Sequence, residues 1–295
     1  MCAFEGPASW VILSPIEQSI KRKIESAGVP LKDWDISINY GIKTGYNDAF
    51  IISGAKRAEI LAECKTEEER RKTDELIRPV LRGRDIKRYG YEFADLYLIA
   101  TFPSMHYNIE EYPAVKNYLL SFGIERLEQT GKEYIVNGEK IKARKKTNNK
   151  WFETQDSISY WDDFFKPKIV WSRLMRLSKN DINNFPRFCF TSGDYFVVDS
   201  LCFFSGSNVE VLVNELNSEF AAWYFFNNVA VLDNGGFQMR QQYVENIPLP
   251  KLTKGVTKKT VDEKIYEAFG FSCKEIDFIR EAIKHKQQEV LNIIK

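Results

Sequence analysis

Isoleucines 16, 20 and 24 recur every fourth residue through "SPIEQSIKRKIESAG" (14–28), with charged or polar residues between them. That spacing sets all three on one face of a helix. Ser14 as N-cap, Pro15 at the first helical position and Glu17 closing a capping box mark its start, and Gly28 marks its end. The period then drops to two. "DISINY" (35–40) alternates Ile36, Ile38 and Tyr40 and predicts a half-buried strand, and "AFIIS" (49–53) predicts another, leaving "GIKTGYND" as the connection between them. Residues 56–77 have helical composition, with Thr66 and Glu69 as a second capping pair. "DLYLIAT" (95–101) is a strand, a helical stretch surrounds "YPAVKNYLLSFGIERLEQTG", and "EYIV" (133–136) is a short strand.

The later half is richer in β-formers. "PKIVW" (167–171), "RFCFT" (187–191) and "YFVVDSLCFFSG" (195–206) predict strands, whereas the length and apolar spacing of "VEVLVNELNSEFAAWYFFNN" (209–228) predict one buried helix. "TKGVTKKTVDEK" (253–264) reads as a polar, Lys-rich connector. Beyond it, Ile276, Ile283 and Val290 are spaced by sevens, Ile279 and Ile293 give part of a second row, and Lys286 interrupts that row. Such a helix packs on its own domain or on a partner rather than zipping a long coiled coil. The expected fold is α/β in the mixed α+β sense: mixed β-sheets with flanking helices and a C-terminal amphipathic helix. Residues 1–252 form one expected domain, and 253–295 the connector and helix.

At 295 residues, 44% hydrophobic and 28% charged, the chain suits a folded core and excludes disordered and fibrous classes. No run is long and apolar enough for a membrane helix. "MCAFEGPASWVILSP" lacks the charged and apolar regions of a signal peptide, so a cytoplasmic location is expected. Five scattered cysteines (Cys2, Cys64, Cys189, Cys202 and Cys273), never in a CxxC step, fit reduced thiols. The net charge of +1 hides segregation: acid collects at 58–75, and base at 78–89, 138–150 and 166–179. Separated patches can give a neutral protein one basic face, although each run also suits a solvated surface.

Catalytic groupings are missing from the sequence. His106 and His285 stand apart from any nucleophile or metal cluster, and there is no Pro-Pro step, GxGxxG, Walker A pattern or Pro-Asp step. The Asp/Asn-Pro-Pro-aromatic site of amino-methyltransferases is therefore absent. No catalytic residue, metal ligand or cofactor site is expected in this chain.

"YGIKTGYNDAFII", "LIRPVLRGRDIKRY", "KPKIVW", "LNSEFAAWYF" and "IPLPKL" together, in that order over about residues 10–252, resemble the TaqI-like C-terminal specificity domain. The resemblance implies the target-recognition part of a type IIG restriction-modification enzyme or related adenine-specific DNA methyltransferase. Its partners would be double-stranded DNA and a methyltransferase or endonuclease domain, upstream or separate. S-adenosylmethionine and Mg2+ would belong to those catalytic domains. Because the chain starts almost where a catalytic domain would end, a fragment or separately encoded domain is expected.

Under that reading Lys43, Thr44, Tyr46 and Asn47 reach a phosphate or base edge from a turn shaped by Gly41 and Gly45; otherwise the turn recurs for folding reasons alone. Arg82, Arg84, Lys87 and Arg88 surround Gly83, with Asp85 able to tie up one arginine internally. Lys142, Arg144, Lys145 and Lys146 make the most basic run, with Asn148 and Asn149 at its tip. Arg173 and Arg176 follow a strand, and Gln238 and Arg240 lie in "GGFQMRQQY"; Arg suits guanine and Gln adenine. Two other classes remain open: an enzyme with an unseen nuclease or transferase site, and a scaffold docking a methyltransferase subunit.

Overall fold

The computed structural model describes residues 13–193, 195–252 and 255–294. The signal-peptide reading of the first dozen residues, Cys2, and positions 253–254 of the connector lie outside that range. In chain order the elements begin with α1 (Pro15–Ala27), β1 (Val29–Pro30), β2 (Ile36–Tyr40), α2 (Asn47–Phe50), β3 (Ile51–Ser53), α3 (Gly54–Glu63), α4 (Glu67–Leu76), β4 (Ile77–Leu81) and β5 (Leu96–Ile99). They continue with α5 (Pro113–Leu120), α6 (Ile124–Leu127), β6 (Glu133–Val136), β7 (Glu139–Lys142), β8 (Lys168–Ser172), β9 (Met175–Arg176), β10 (Phe188–Thr191), β11 (Phe196–Val197) and β12 (Leu201–Gly206). Last come α7 (Val209–Leu216), α8 (Glu219–Asn228), β13 (Gly236–Phe237), α9 (Gln241–Val244), β14 (Pro248–Leu249), α10 (Val261–Phe269) and α11 (Cys273–Ile293). The fold is mixed α+β with a C-terminal helix, as the hydrophobic pattern indicated.

Two compact units share the chain. The first takes residues up to Ile36, then Leu174–Phe188 and Ser207 onward; the second takes Ser37–Arg173 and Cys189–Gly206.

The second unit is built on two four-stranded sheets, ordered β10-β8-β12-β2 and β11-β4-β5-β3. In the first of these, β8 and β12 run antiparallel, with Trp171 opposite Cys202 and Ile169 opposite Phe204. Stacked rings fill the core: Phe164 lies on Phe196 at 4.4 Å and 14°, and Phe102 on Phe196 at 6.2 Å. Aromatic pairs of this kind add to the stabilisation from area burial alone. The acidic stretch 58–75 spreads over α3 and α4, and much of its charge is spent within the fold: Arg57 pairs with Asp74, Arg71 with Glu75, and Lys72 with Glu68 and Glu111.

Helices dominate the first unit, joined by two-stranded pairings of β1 with β14 and β9 with β13. Ser14 and Glu17 cap α1 reciprocally, and Ile20 and Ile24 are its buried stripe. Helix α11 packs on α8, and α10 on α1 and α7. Glu215 of α7 is wholly buried, and among the described residues neither carboxyl oxygen has a hydrogen-bond partner. Burial alone pushes its pKa up to about 9, so the group is neutral at physiological pH.

Several predicted elements divide. The expected helix over 209–228 breaks at Asn217 and Ser218, because Ser218 accepts from the Ala221 amide as a new N-cap and Asn217 bonds both backbone groups of Phe188. Residues 56–77 form α3 and α4 with a turn at 64–66, Thr66 capping the second, and Ile77 already belongs to β4. Ala49 and Phe50 lie in the helical turn α2, so the strand expected over 49–53 is β3 alone. A turn at Asp199 and Ser200 splits 195–206 into β11 and β12. The polar connector ends early: Val261 and Ile265 are buried in α10.

Candidate nucleic-acid interface

The turn after β2 is held by backbone geometry. Gly41 donates to the Leu201 carbonyl at 3.0 Å and Ile42 to that of Val197 at 2.7 Å. The chains approach so closely that a Cβ on Gly41 would lie 1.9 Å from the Val198 carbonyl oxygen. Gly45 adopts φ +80°, a conformation L side chains rarely take. Gly41→Ala is expected to cost about 2 kcal/mol through backbone displacement, read by urea denaturation; an unchanged midpoint would show that the two segments separate freely.

Around these glycines the predicted contacts sort themselves. Thr44 is buried, donates its hydroxyl to Asn47 Oδ1 at 2.6 Å and accepts from the Tyr46 amide. It is a turn-forming residue, not a ligand contact. Tyr46 packs edge-on against Phe122 under the Arg126 guanidinium. Lys43 and Asn47 are exposed, and the Lys43 carbonyl accepts from the amides of Gln155 and Asp156.

The basic run 138–150 contains the largest correction. Arg144 is only 4% exposed and donates to four backbone carbonyls: Leu127 at 2.7 Å, Thr44 at 2.9 Å, Glu153 at 2.8 Å and Trp151 at 2.6 Å. Burial lowers its pKa to about 10, which leaves it charged at neutral pH. Its guanidinium cannot reach DNA. Lys142, Lys145 and Lys146 remain exposed. Asn149, expected at a tip, turns its amide inward to the carbonyls of Thr154 and Gln155.

Around Gly83 the charges also divide. Asp85 binds Arg82 with both oxygens, at 3.0 and 3.1 Å, so Arg82 is the internally tied arginine. Lys87 pairs with Glu92 at 3.2 Å, and Arg88 lies on the Tyr89 ring. Arg84 is exposed. In the run 166–179, Lys166 pairs with Asp163, and Lys168 is buried on the carbonyls of Phe164, Lys166 and Gly193.

Within the second unit, a concave recess of about 610 Å³ is lined by Tyr40, Gly41, Lys43, Thr147, Asn149, Gln155, Asp156, Ser157, Tyr160, Arg173 and Asp199. Arg173 is fixed there by donating to the Asp199 carbonyl at 2.9 Å, with its guanidinium over the Tyr40 ring at 5.7 Å. The Tyr160 hydroxyl donates to the Tyr40 carbonyl, and burial holds that phenol near pKa 12 and neutral. Two cations, an aromatic face and amide and carboxylate acceptors thus meet in one open concavity, which suits a phosphate with an adjoining base. Sequence reasoning found Lys43 and Arg173 but missed Tyr40 and Gln155, whose approach depends on pairings more than a hundred residues apart.

In the first unit, Arg176 sits opposite Gly236 in the β9–β13 pair, two residues before Gln238. Arg240 precedes α9 as its N-cap; it and Arg176 are exposed, and Gln238 is half-buried. Among the described residues, no group of three His, Cys, Asp or Glu side chains is placed to hold a metal ion. Nor is any described helix long and apolar enough to cross a membrane.

The chain's family follows from residues 78–249, which match the model of the TaqI-like C-terminal specificity domain. This is more than half of the chain, and the chain belongs to that family. The match is narrower than the 10–252 expected from motifs and leaves Lys43 and its turn outside. No curated protein matches the chain. Solved structures similar to it include those of two restriction enzymes. The MmeI structure, a type IIL restriction-modification enzyme in complex with DNA, has TM-score 0.52 and 11% identity, covering 88% of this chain and 36% of that one. The type IIG restriction endonuclease BpuSI has TM-score 0.49 and 13% identity, with 94% and 32% covered. The chain therefore spans roughly a third of the length of each, and the likeness to MmeI is one of fold.

Proposed function

We propose that this chain is a sequence-specific double-stranded DNA recognition module of a cytoplasmic restriction-modification or related phage-defence enzyme. The observation that carries the reading is membership of the specificity-domain family. Lys43 and Arg173 in one recess support it, because paired cations beside aromatic and amide groups give both a phosphate anchor and a base-reading surface. The chain is non-catalytic by itself. It holds duplex DNA for adenine methylation and cleavage by methyltransferase and endonuclease domains outside residues 1–295, which would bind S-adenosylmethionine and Mg2+. Extruding a target base requires grip on the flanking duplex, and this chain supplies one side of that grip.

Selection of the purified chain on randomised duplexes at two salt concentrations tests the proposal. A short enriched motif that persists at the higher salt is expected. Absence of binding at either salt, with retained affinity for a catalytic subunit, would replace the reading by a scaffold; cleavage or methylation by the chain alone would make it an enzyme. Lys43→Ala and Arg173→Ala are each expected to weaken binding and to lower the salt slope by about 1, measured by fluorescence anisotropy across a salt series. An unchanged slope in both variants would remove the recess from the interface.

A further inference from the structure

Strands β6 and β7 form a two-stranded ribbon, antiparallel with Glu133 opposite Lys142, Ile135 opposite Lys140 and Val136 opposite Glu139. The turn is Asn137-Gly138 with φ +52° and +83°, the two left-handed residues that a tight hairpin needs. Two backbone bonds extend the ladder at its root, from Ala143 to the Lys132 carbonyl and from Gly131 to that of Arg144. Arg144 then fastens the root through its four carbonyl partners. A two-stranded hairpin is marginal in isolation, and this one is held at its base by a buried charge.

The two faces differ. Tyr134 and Ile141 are half-buried on one, where Tyr134 donates to Glu128. The other carries Glu133, Ile135, Lys140 and Lys142, and Ile135 is 82% exposed. A single exposed isoleucine is ordinary on a protein surface. This one stands in mid-strand on the ribbon's solvent face, opposite Lys140 and diagonal to the exposed Lys142. Lys140 pairs with Glu133 at 2.6 Å, and the exposed Lys132, Lys140 and Lys142 outnumber Glu133 and Glu139 by one, so the ribbon keeps a positive excess that complements a polyanion. The major groove of B-DNA admits a two-stranded ribbon, and the thymine C5-methyl is its apolar feature.

We propose that the β6–β7 ribbon enters the major groove of the target duplex, with Ile135 against a thymine methyl and Lys142 and Lys132 along the flanking phosphates. This rests on the DNA-recognition reading above and adds a specificity-determining residue to it.

The test uses the full chain, the duplex it enriches from the randomised pool, a mixed-sequence duplex of equal length, and an enriched duplex with every thymine replaced by deoxyuridine. Ile135→Ser is expected to lower affinity for the enriched duplex about tenfold and to leave mixed-sequence binding within twofold. Deoxyuridine is expected to weaken the native chain by a similar factor and to leave the Ser variant unaffected. The exposed position predicts an unchanged melting temperature, so a fold defect is separable. Wild-type affinity of Ile135→Ser for the enriched duplex, or equal sensitivity of both proteins to deoxyuridine, would refute the contact while DNA recognition stands. Binding without any enriched motif would also refute base readout by Ile135, and no binding at all would overturn both proposals.

Discussion

Arg144→Met is expected to lower the unfolding free energy by about 4 kcal/mol. A hydrogen bond to a charged group contributes roughly 1.5–3 kcal/mol; the substitution removes four such bonds and strands buried carbonyls, and the desolvation cost of the buried guanidinium, which disappears with it, offsets part of that sum. The partners lie at the end of α6, in the turn after β2 and in the 151–153 segment, so the loss falls on three stretches at once. Arg144→Lys is expected to recover only part, because an ammonium has three donors and no planar fork. Urea denaturation between pH 5 and 8 reads the effect. It should be flat across that range, since both folded and unfolded forms keep the charge far below pKa 10. A loss under 1 kcal/mol would mean that the carbonyls find water and that Arg144 is not the anchor.

Glu215→Gln is expected to have the opposite sign. The folded carboxyl has its pKa pushed up to about 9 by burial, whereas an unfolded glutamate titrates near 4.5. Above pH 4.5 the unfolded chain sheds this proton and the folded chain retains it. Stability from the protonated group is thus fully present below pH 4.5, falls as pH rises toward 9, and levels off beyond. At pH 7 the accumulated cost is about 3 kcal/mol. A neutral amide of the same shape escapes it, so the variant should gain stability at pH 7, match the native chain near pH 4.5, and lose the slope between. Calorimetric melting at pH 5, 7 and 9 measures this; parallel curves for the two proteins would show that Glu215 ionises in place.

These two side chains mark the limit of what the sequence tells. Ser14 and Glu17, Thr66, and the isoleucines of α1 were legible because caps and helical periodicity depend on neighbours within four residues. Arg144 was not, since in "KARKK" it has the same local context as the exposed lysines around it, and its carbonyl partners include Thr44, a hundred residues away. Asn217 is similar: the helix break it makes depends on the Phe188 backbone. The Asn137-Gly138 turn, by contrast, was available. Reading 138–150 as one basic run obscured a hairpin that begins before it, with Lys140 and Lys142 on a strand rather than in a loop. Of the recess, the cations were visible in sequence and the surface that gathers them was not.

The interleaving of the two units sets an order of events on the ribosome. All residues of the second unit have been translated once Gly206 is made, so its sheets have their full complement of strands while α7 to α11 are still to come. The first unit has by then only α1, β1, β9 and the short segment up to Phe188, and its helical core waits for α8 and α11 to emerge. Stalling or truncation after residue 252 would therefore leave a nascent chain with one unit complete and the other exposing the apolar faces of α7 and α8, a species prone to aggregation and chaperone capture.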